Sequence, residues 1–250
     1  MTRAATVLAH GTDESALWAF RRLSARSPRS VEFVAVEELA APGTTWAHRV
    51  DDAGSRVTVT MQQGVGIRSG RWHSVLNRFV WPPAVRLSAS GSPDARYAQS
   101  ELMAFTAGWL RSLAAVMINE PTPQGLSGRW RPTAAWRALG VAAGLRVVPF
   151  RATSSHAADD VADMSLADAE SPTRTLLSIA GELIHDDAPP TVRRAVRRLA
   201  GLSGTTILGL RFLGDEPARS GWRLLDATPH PDLSLGGEEG LRALEAELLR

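Results

Sequence analysis

Two residue types that often do chemistry are missing from this chain. All 28 basic side chains in its 250 residues are arginine, and there is no cysteine. Arginine keeps its proton at any physiological pH, which excludes Schiff-base formation and a lysine general base. It also leaves no compact ammonium of the kind that phosphate-gripping loops use as a point charge. Without cysteine there are no disulfides, thiolate metal sites or thiol nucleophiles. Short clusters remain. Asp226-Ala227-Thr228-Pro229 runs into His230-Pro231-Asp232, so Asp226 and His230 would lie at the end of one strand as a candidate metal pair. His185-Asp186-Asp187 directly precedes a helix that begins at Pro190, where capping and turn roles are expected. Neither cluster has the His-Glu-x-x-His spacing of a helical zinc site. The strings Gly125-Leu126-Ser127-Gly128 and Gly201-Leu202-Ser203-Gly204 lack the spacing of a nucleophile elbow and read as loop and helix-end glycines.

A further cluster is cationic. Over residues 190–202, Val192, Ala195, Val196 and Leu199 recur at helical spacing, while Arg193, Arg194, Arg197 and Arg198 fall on the opposite face. Four guanidinium groups in two turns make a strong local field on a chain whose formal net charge is only +2. They read either as a solvated face or as a docking patch for an acidic protein, peptide or phosphate. Nucleic acid is not expected, because no aromatic residues interleave with them. Of the eight tryptophans, Trp18, Trp109 and Trp136 lie in helical patterns and are expected in or beside the core. Trp46, Trp72, Trp81 and Trp130 fall on strands or loops, where they would either line a groove or anchor loops.

The elements that must carry these residues alternate between strand and helix. A short apolar run at 5–9 is broken at Gly11, and Asp13 can cap a helix to about Arg26 before a second buried-type strand at 31–36. Residues 46–50 and 56–61 alternate as half-exposed strands about a turn at Ala53-Gly54. A strand at 75–78 and a loop at 84–95 follow. The next helix, at 94–113, has Ala98, Leu102, Phe105, Trp109 and Leu113 on one face. A strand at 115–118, a helix at 132–143 and a strand at 145–148 complete an α/β region at 1–150. Residues 151–173 are polar, acidic and without period, and read as a linker. The remainder, 174–250, is expected to hold strands at 175–180, 206–213 and 222–227 and helices at 190–202 and 238–249. No run approaches the ~18 apolar residues of a membrane span, and the first apolar run is too short for a signal peptide. A soluble, cytoplasmic protein is expected.

Several of these segments together carry a family pattern. Ile118-Asn119-Glu120-Pro121, then Gly128-Arg129-Trp130, a helix, and a glycine-led apolar strand ending at Pro149 form one half. Gly209-Leu210-Arg211-Phe212 and Asp226-Ala227-Thr228-Pro229, followed by Pro231-Asp232-Leu233 and Gly236-Gly237, form the other. In this order the chain resembles the ATP-grasp superfamily, ligases that join amines to carboxylates through an acyl-phosphate. The resemblance implies an N-terminal Rossmann-like pre-ATP-grasp α/β domain followed by a truncated ATP-grasp-like α+β C-terminal domain. It implies nucleotide contacts at Arg129, Asp226 and Thr228, with Arg129 where the family carries a lysine. It also implies two magnesium-binding strands, of which the first has Arg211 in place of aspartate. The family's small β-subdomain, with a second lysine and a glycine-rich loop, would fall in the short interval between Pro149 and Thr175. The reading that follows is a degenerate, non-catalytic protein- or peptide-binding scaffold without a cofactor, pairing with an intact ligase or with itself as a dimer. The alternative is an ATP-dependent carboxylate–amine ligase that uses Mg-ATP, with arginines replacing the lysines.

Overall fold

A computed structural model describes residues 4–26, 31–52, 54–61, 66–68, 72–82, 93–150, 172–184, 187–213 and 222–250. The chain divides into two compact units, one of residues 1–129 with 241–250 and the other of residues 130–240.

The first unit is built on a parallel sheet. β1 (Ala4–Ala9), β2 (Val31–Ala35), β6 (Trp72–Arg78) and β7 (Met117–Ile118) lie in the order β2-β1-β6-β7. The central strand β1 buries Ala5, Val7, Leu8 and Ala9, the near-continuous apolar run of a strand covered on both faces. Helix α1 (Glu14–Arg26) joins β1 to β2, and the Asp13 carboxylate caps it by accepting from the Ala16 N–H at 2.9 Å. β3 (Thr45–Asp51), β4 (Gly54–Thr60) and β5 (Gly66–Arg68) form a separate antiparallel sheet. Its buried Val57 and Val59 share a core with Trp72, Phe79, Trp109 and Leu110.

Helix α2 (Pro93–Ser112) departs from the sequence pattern: it buries Thr106, Trp109 and Leu110, leaves Leu102 and Phe105 half-buried, and exposes Ala98. Among the described residues, its buried side chains lie in its C-terminal turns, where Trp109 and Leu110 join the core. Of the tryptophans expected on strands or loops, two are structural. Trp72 is fully buried, and Trp46 packs edge-on against Trp109 while its indole N–H donates to the Leu39 carbonyl at 2.9 Å. Trp81 and Trp130 are exposed, at 70% and 64%.

The second unit is a five-stranded sheet in the order β10-β9-β11-β12-β8. Its strands are β8 (Arg146–Val147), β9 (Thr173–Ile179), β10 (Glu182–Leu183), β11 (Ile207–Leu213) and β12 (Arg223–Thr228). All its pairs are antiparallel except β12–β8. Helices α3 (Thr133–Ala143) and α4 (Pro190–Ser203) place Trp136, Val196 and Leu199 in a core with Leu176, Leu208, Leu210, Phe212 and Leu224. Each of these large apolar side chains contributes roughly 1.5–3 kcal/mol by leaving water. Helix α5 (Gly237–Leu248) begins in this unit and continues into the segment that belongs to the first.

This division replaces the expected boundary at residue 150. α3 packs on β12 and α4, and β8 pairs with β12 through Arg146↔Arg223 and Val147↔Leu224, so residues 130–149 belong to the second sheet. The expected linker lies outside the described residues up to 171, and its last residue, Thr173, already opens β9. Among the described residues, no helix is long and apolar enough to cross a membrane.

Candidate functional site

The residues that could carry chemistry in the second unit collect on two opposite sides of its sheet. Side chains alternate along a strand, and cross-strand partners share a face. Leu176, Leu210, Phe212, Leu224 and Ala227 point into the core under α3 and α4. Thr175, Arg211 and Asp226 form one row on the other face, through the pairs Arg211↔Thr175 and Arg211↔Asp226. The next row toward the strand ends carries Leu177, Gly209 and Thr228. The row in the other direction carries Thr173, Leu213, Arg223 and Arg146. The pairing steps from Arg211↔Asp226 to Phe212↔Leu224, so Leu225 is an extra residue and β12 is bulged beside Asp226.

The chain after β12 walls off one side of this face. A Cβ added at Gly209 would lie 2.8 Å from Pro231 Cβ and 3.0 Å from Thr228 Cγ2, so only glycine lets the Pro229–Pro231 turn close onto β11. Gly236 is crowded in the same way by Leu177 Cδ2, at 2.7 Å. The turn is held by local bonds. The His230 N–H donates to Thr228 Oγ1 at 3.1 Å, and Asp232 Oδ1 accepts from the Ser234 N–H at 2.9 Å. Asp226 Oδ1 accepts from the Ala227 N–H at 2.9 Å, which fixes the carboxylate close to its own backbone. Arg211 is exposed and has no carboxylate within 4.0 Å among the described residues, although Asp226 is its cross-strand partner.

The four arginines of α4 occupy the other side. Arg193 donates to the Ala188 carbonyl at 3.1 Å and the Leu183 carbonyl at 3.4 Å. Arg197 makes a two-nitrogen contact with Glu182 Oε1, at 2.6 and 3.0 Å. Arg198 lies with its guanidinium over Gly144, the left-handed residue that ends α3 (φ 91°), where a cation suits the helix's carbonyl end. Arg194 has no partner among the described residues. Three of the four thus have structural work within their own unit. Of His185-Asp186-Asp187, expected in capping and turn roles, Asp187 sits in the turn before α4 and its carboxylate pairs with Arg174. The helix is preceded by Pro189, which makes no side-chain cap, and His185 and Asp186 lie outside the described residues. Arg129 is exposed and ends the first unit, so the sheet of the second unit does not supply it. No group of three or more His, Asp or Glu residues is gathered to hold a metal among the described residues.

Sequence reasoning missed a buried cluster in the first unit. Arg78, 5% exposed, donates from Nε to Asp13 Oδ2 at 2.7 Å and from Nη2 to Oδ1 at 3.3 Å. Beside it, His10 Nδ1 lies 3.1 Å from Glu37 Oε1, and the Gly11 N–H donates to Glu37 Oε2 at 3.0 Å. Burial pushes the Glu37 carboxyl up, but the Gly11 and Glu37 backbone N–H groups and His10 outweigh it and hold it below its ordinary value. The only sequence signal was that Gly11, Asp13 and Arg78 follow or end short apolar runs.

Comparison with solved structures gives this geometry a context. The macrocyclase MdnB from Microcystis aeruginosa MRC superposes with a TM-score of 0.66 at 13% identity, over 99% of both chains. MdnC of the same organism, bound with precursor peptide MdnA, gives 0.71 at 9% identity over 98% of this chain and 99% of that one. The ATP-grasp ligase PsnB, complexed with minimal precursor, Mg and ADP, gives 0.63 at 14% identity over 98% of each. The fold is ATP-grasp-like. The likeness runs end to end, and at these identities it speaks for the fold alone. No protein-family model matches the chain, and no curated protein matches it in sequence.

Proposed function

We propose that this protein is a peptide-binding member of the ATP-grasp-like fold that has lost nucleotide and magnesium chemistry and acts as a non-catalytic scaffold. The observation that carries the reading is Arg211 standing in register with Asp226 at the centre of an exposed sheet face. Mg²⁺ takes about six hard oxygens in near-octahedral array, and carboxylates offset the cost of its dehydration. Here Asp226 is the one carboxylate in its row, with one oxygen already accepting from Ala227. The Thr228 hydroxyl is engaged by the His230 N–H. An exposed guanidinium ~5 Å from a dication opposes it by roughly 1–2 kcal/mol even at the dielectric of water. These residues do not fit a magnesium ion, and no step of a ligation is derived through one.

Peptide binding is the part of the reading that similarity to the solved ligases supports, since MdnC and PsnB were each captured with a precursor peptide. The finer points belong to the same proposal. They are a Rossmann-like first unit, a shortened interval in place of the phosphate-covering subdomain, and a partner that is an intact ligase of the same fold or a second copy. Calorimetric titration of Mg-ATP into the full chain tests it. No heat is expected up to millimolar nucleotide, and micromolar binding would overturn the reading.

A second reading rests on a specific observation: PsnB binds Mg and ADP within the same fold. On that reading the chain is an ATP-dependent carboxylate–amine ligase completed by a partner, with Arg129, Asp226 and Thr228 toward the nucleotide. ADP release by the reconstituted complex would then be lost in Asp226→Ala. Unchanged release in that variant would remove this alternative.

A further inference from the structure

Leu224 and Ala227 both face the core under α3 and α4, although they stand three residues apart on one strand. A regular strand alternates faces, so from Leu224 onward it would turn Asp226 toward the core and Ala227 away from it. The extra residue Leu225 resolves the conflict and sends Asp226 to the face of Arg211. The neighbouring strand and helix hold that bulge. β8 pairs with β12 through Val147↔Leu224, and the Val148 N–H donates to the Leu224 carbonyl at 2.9 Å. Pro149 follows, and with no N–H it cannot continue the ladder. Arg137 of α3, 5% exposed, supplies donors at this point: Nε donates to the Leu225 carbonyl at 2.9 Å and Nη1 to the Pro149 carbonyl at 2.7 Å. Its guanidinium also lies 5.4 Å from the centre of the Phe150 ring. Gly140, three residues on along the same face of α3, lets the helix come this close. A Cβ there would lie 2.8 Å from Leu224 Cδ2 and 3.2 Å from Val147 Cγ1.

We propose that Arg137 is the positioning residue of the Asp226 site: it clamps the Leu225 bulge to the end of β8 and so keeps Asp226 in register with Arg211. A guanidinium presents its N–H groups in a fixed fork, so one side chain meets both carbonyls at once, and an apolar side chain of similar size meets neither. Once the Leu225 carbonyl loses that donor, the extra residue is no longer tied to this point of β12. A shift of the bulge by one residue then turns Asp226 away from Arg211 and toward the core. Arg137 acts through the backbone of β12, from the helix-covered side of the sheet. The inference concerns how the site is built, and it holds whether the site takes a peptide or a nucleotide.

The test is disulfide trapping in the full chain, which has no cysteine of its own. One variant carries Arg211→Cys with Asp226→Cys, across β11 and β12, and a second carries Arg211→Cys with Thr175→Cys, across β11 and β9. Cross-strand partners have Cα atoms about 4.5–5.5 Å apart, within the range a disulfide spans. Both pairs are expected to close under mild oxidation, read on the folded monomer. Adding Arg137→Met is expected to lower closure of the 211–226 pair at least about fivefold while the 211–175 pair closes as before. A role in stability alone would lower both pairs together. Arg137→Gln, which keeps an N–H donor but not the fork, is the second variant should Arg137→Met not fold, and is expected to shift the comparison in the same direction. Unchanged closure of the 211–226 pair, or equal loss in both pairs, would overturn the proposal. Binding of Mg-ATP by calorimetry would sink the scaffold reading while leaving the trapping result standing, so the two failures can be told apart.

Discussion

Replacing Arg211 by aspartate should create a cation site where the wild-type chain opposes one. Arg211 and Asp226 are cross-strand partners, so their Cα atoms lie about 4.5–5.5 Å apart and an aspartate at 211 would present its carboxylate beside that of Asp226. The change exchanges one positive for one negative charge, two units in all, near a bound dication. At ~5 Å, even with the dielectric of water, this alters the interaction by roughly 3 kcal/mol. A Debye length of about 8 Å at physiological salt reduces it to roughly 2 kcal/mol. That corresponds to about a thirtyfold gain in affinity. Isothermal titration with Mn²⁺, followed by Mg²⁺, reads it directly. Because Arg211 is exposed and makes no ion pair among the described residues, folding should be unaffected, which a thermal melt checks. Equal Mn²⁺ affinity in wild type and Arg211→Asp would refute the electrostatic reasoning.

Other consequences concern the framework. Gly209→Ala should destabilise by about 1–3 kcal/mol, because its Cβ would overlap Pro231 and Thr228 and the turn must shift, which denaturant unfolding would measure. Arg78→Met should cost about 3 kcal/mol by removing the guanidinium that offsets the half-buried Asp13 carboxylate, and adding Asp13→Asn should recover part of that loss; full additivity of the two would contradict a coupled pair. For Glu37, a carboxyl held below its ordinary 4.5 in the folded state contributes stability above that pH and loses it as pH falls through the folded value. Melting temperature should therefore depend less on pH below about 4.5 in Glu37→Gln than in wild type. Arg197→Gln should change stability by less than about 1 kcal/mol, since its pairing with Glu182 is exposed at both ends.

Much of the scaffold was legible because local chemistry and tertiary fate agree. The apolar run of β1, the break at Gly11 and the Asp13 cap gave the opening strand–helix–strand, and their ends fall within one or two residues of expectation. Membership of a sheet was not legible. The helix and strand at 132–148 continue the alternation of the first half of the chain, and nothing local says that Arg146 and Val147 will pair with β12. The same limit hid which residues share the sheet face of Arg211. Arg146, Arg211 and Arg223 are scattered along the chain, and the bulge at Leu225 shifts the period that would otherwise assign faces. The α4 arginines were the conspicuous patch in sequence. Arg193 bonds the Leu183 and Ala188 carbonyls, Arg197 pairs with Glu182, and Arg198 lies beside Gly144, neighbours that the helical spacing of the arginines does not disclose.

The most direct measurement is a crystal of the full chain soaked with Mg²⁺ and a non-hydrolysable ATP analogue. No density for phosphate or metal is expected against Asp226, with the Arg211 side chain unmoved. A triphosphate ordered there, with a metal ion touching the Asp226 carboxylate, would contradict the loss of nucleotide chemistry on which the functional account depends.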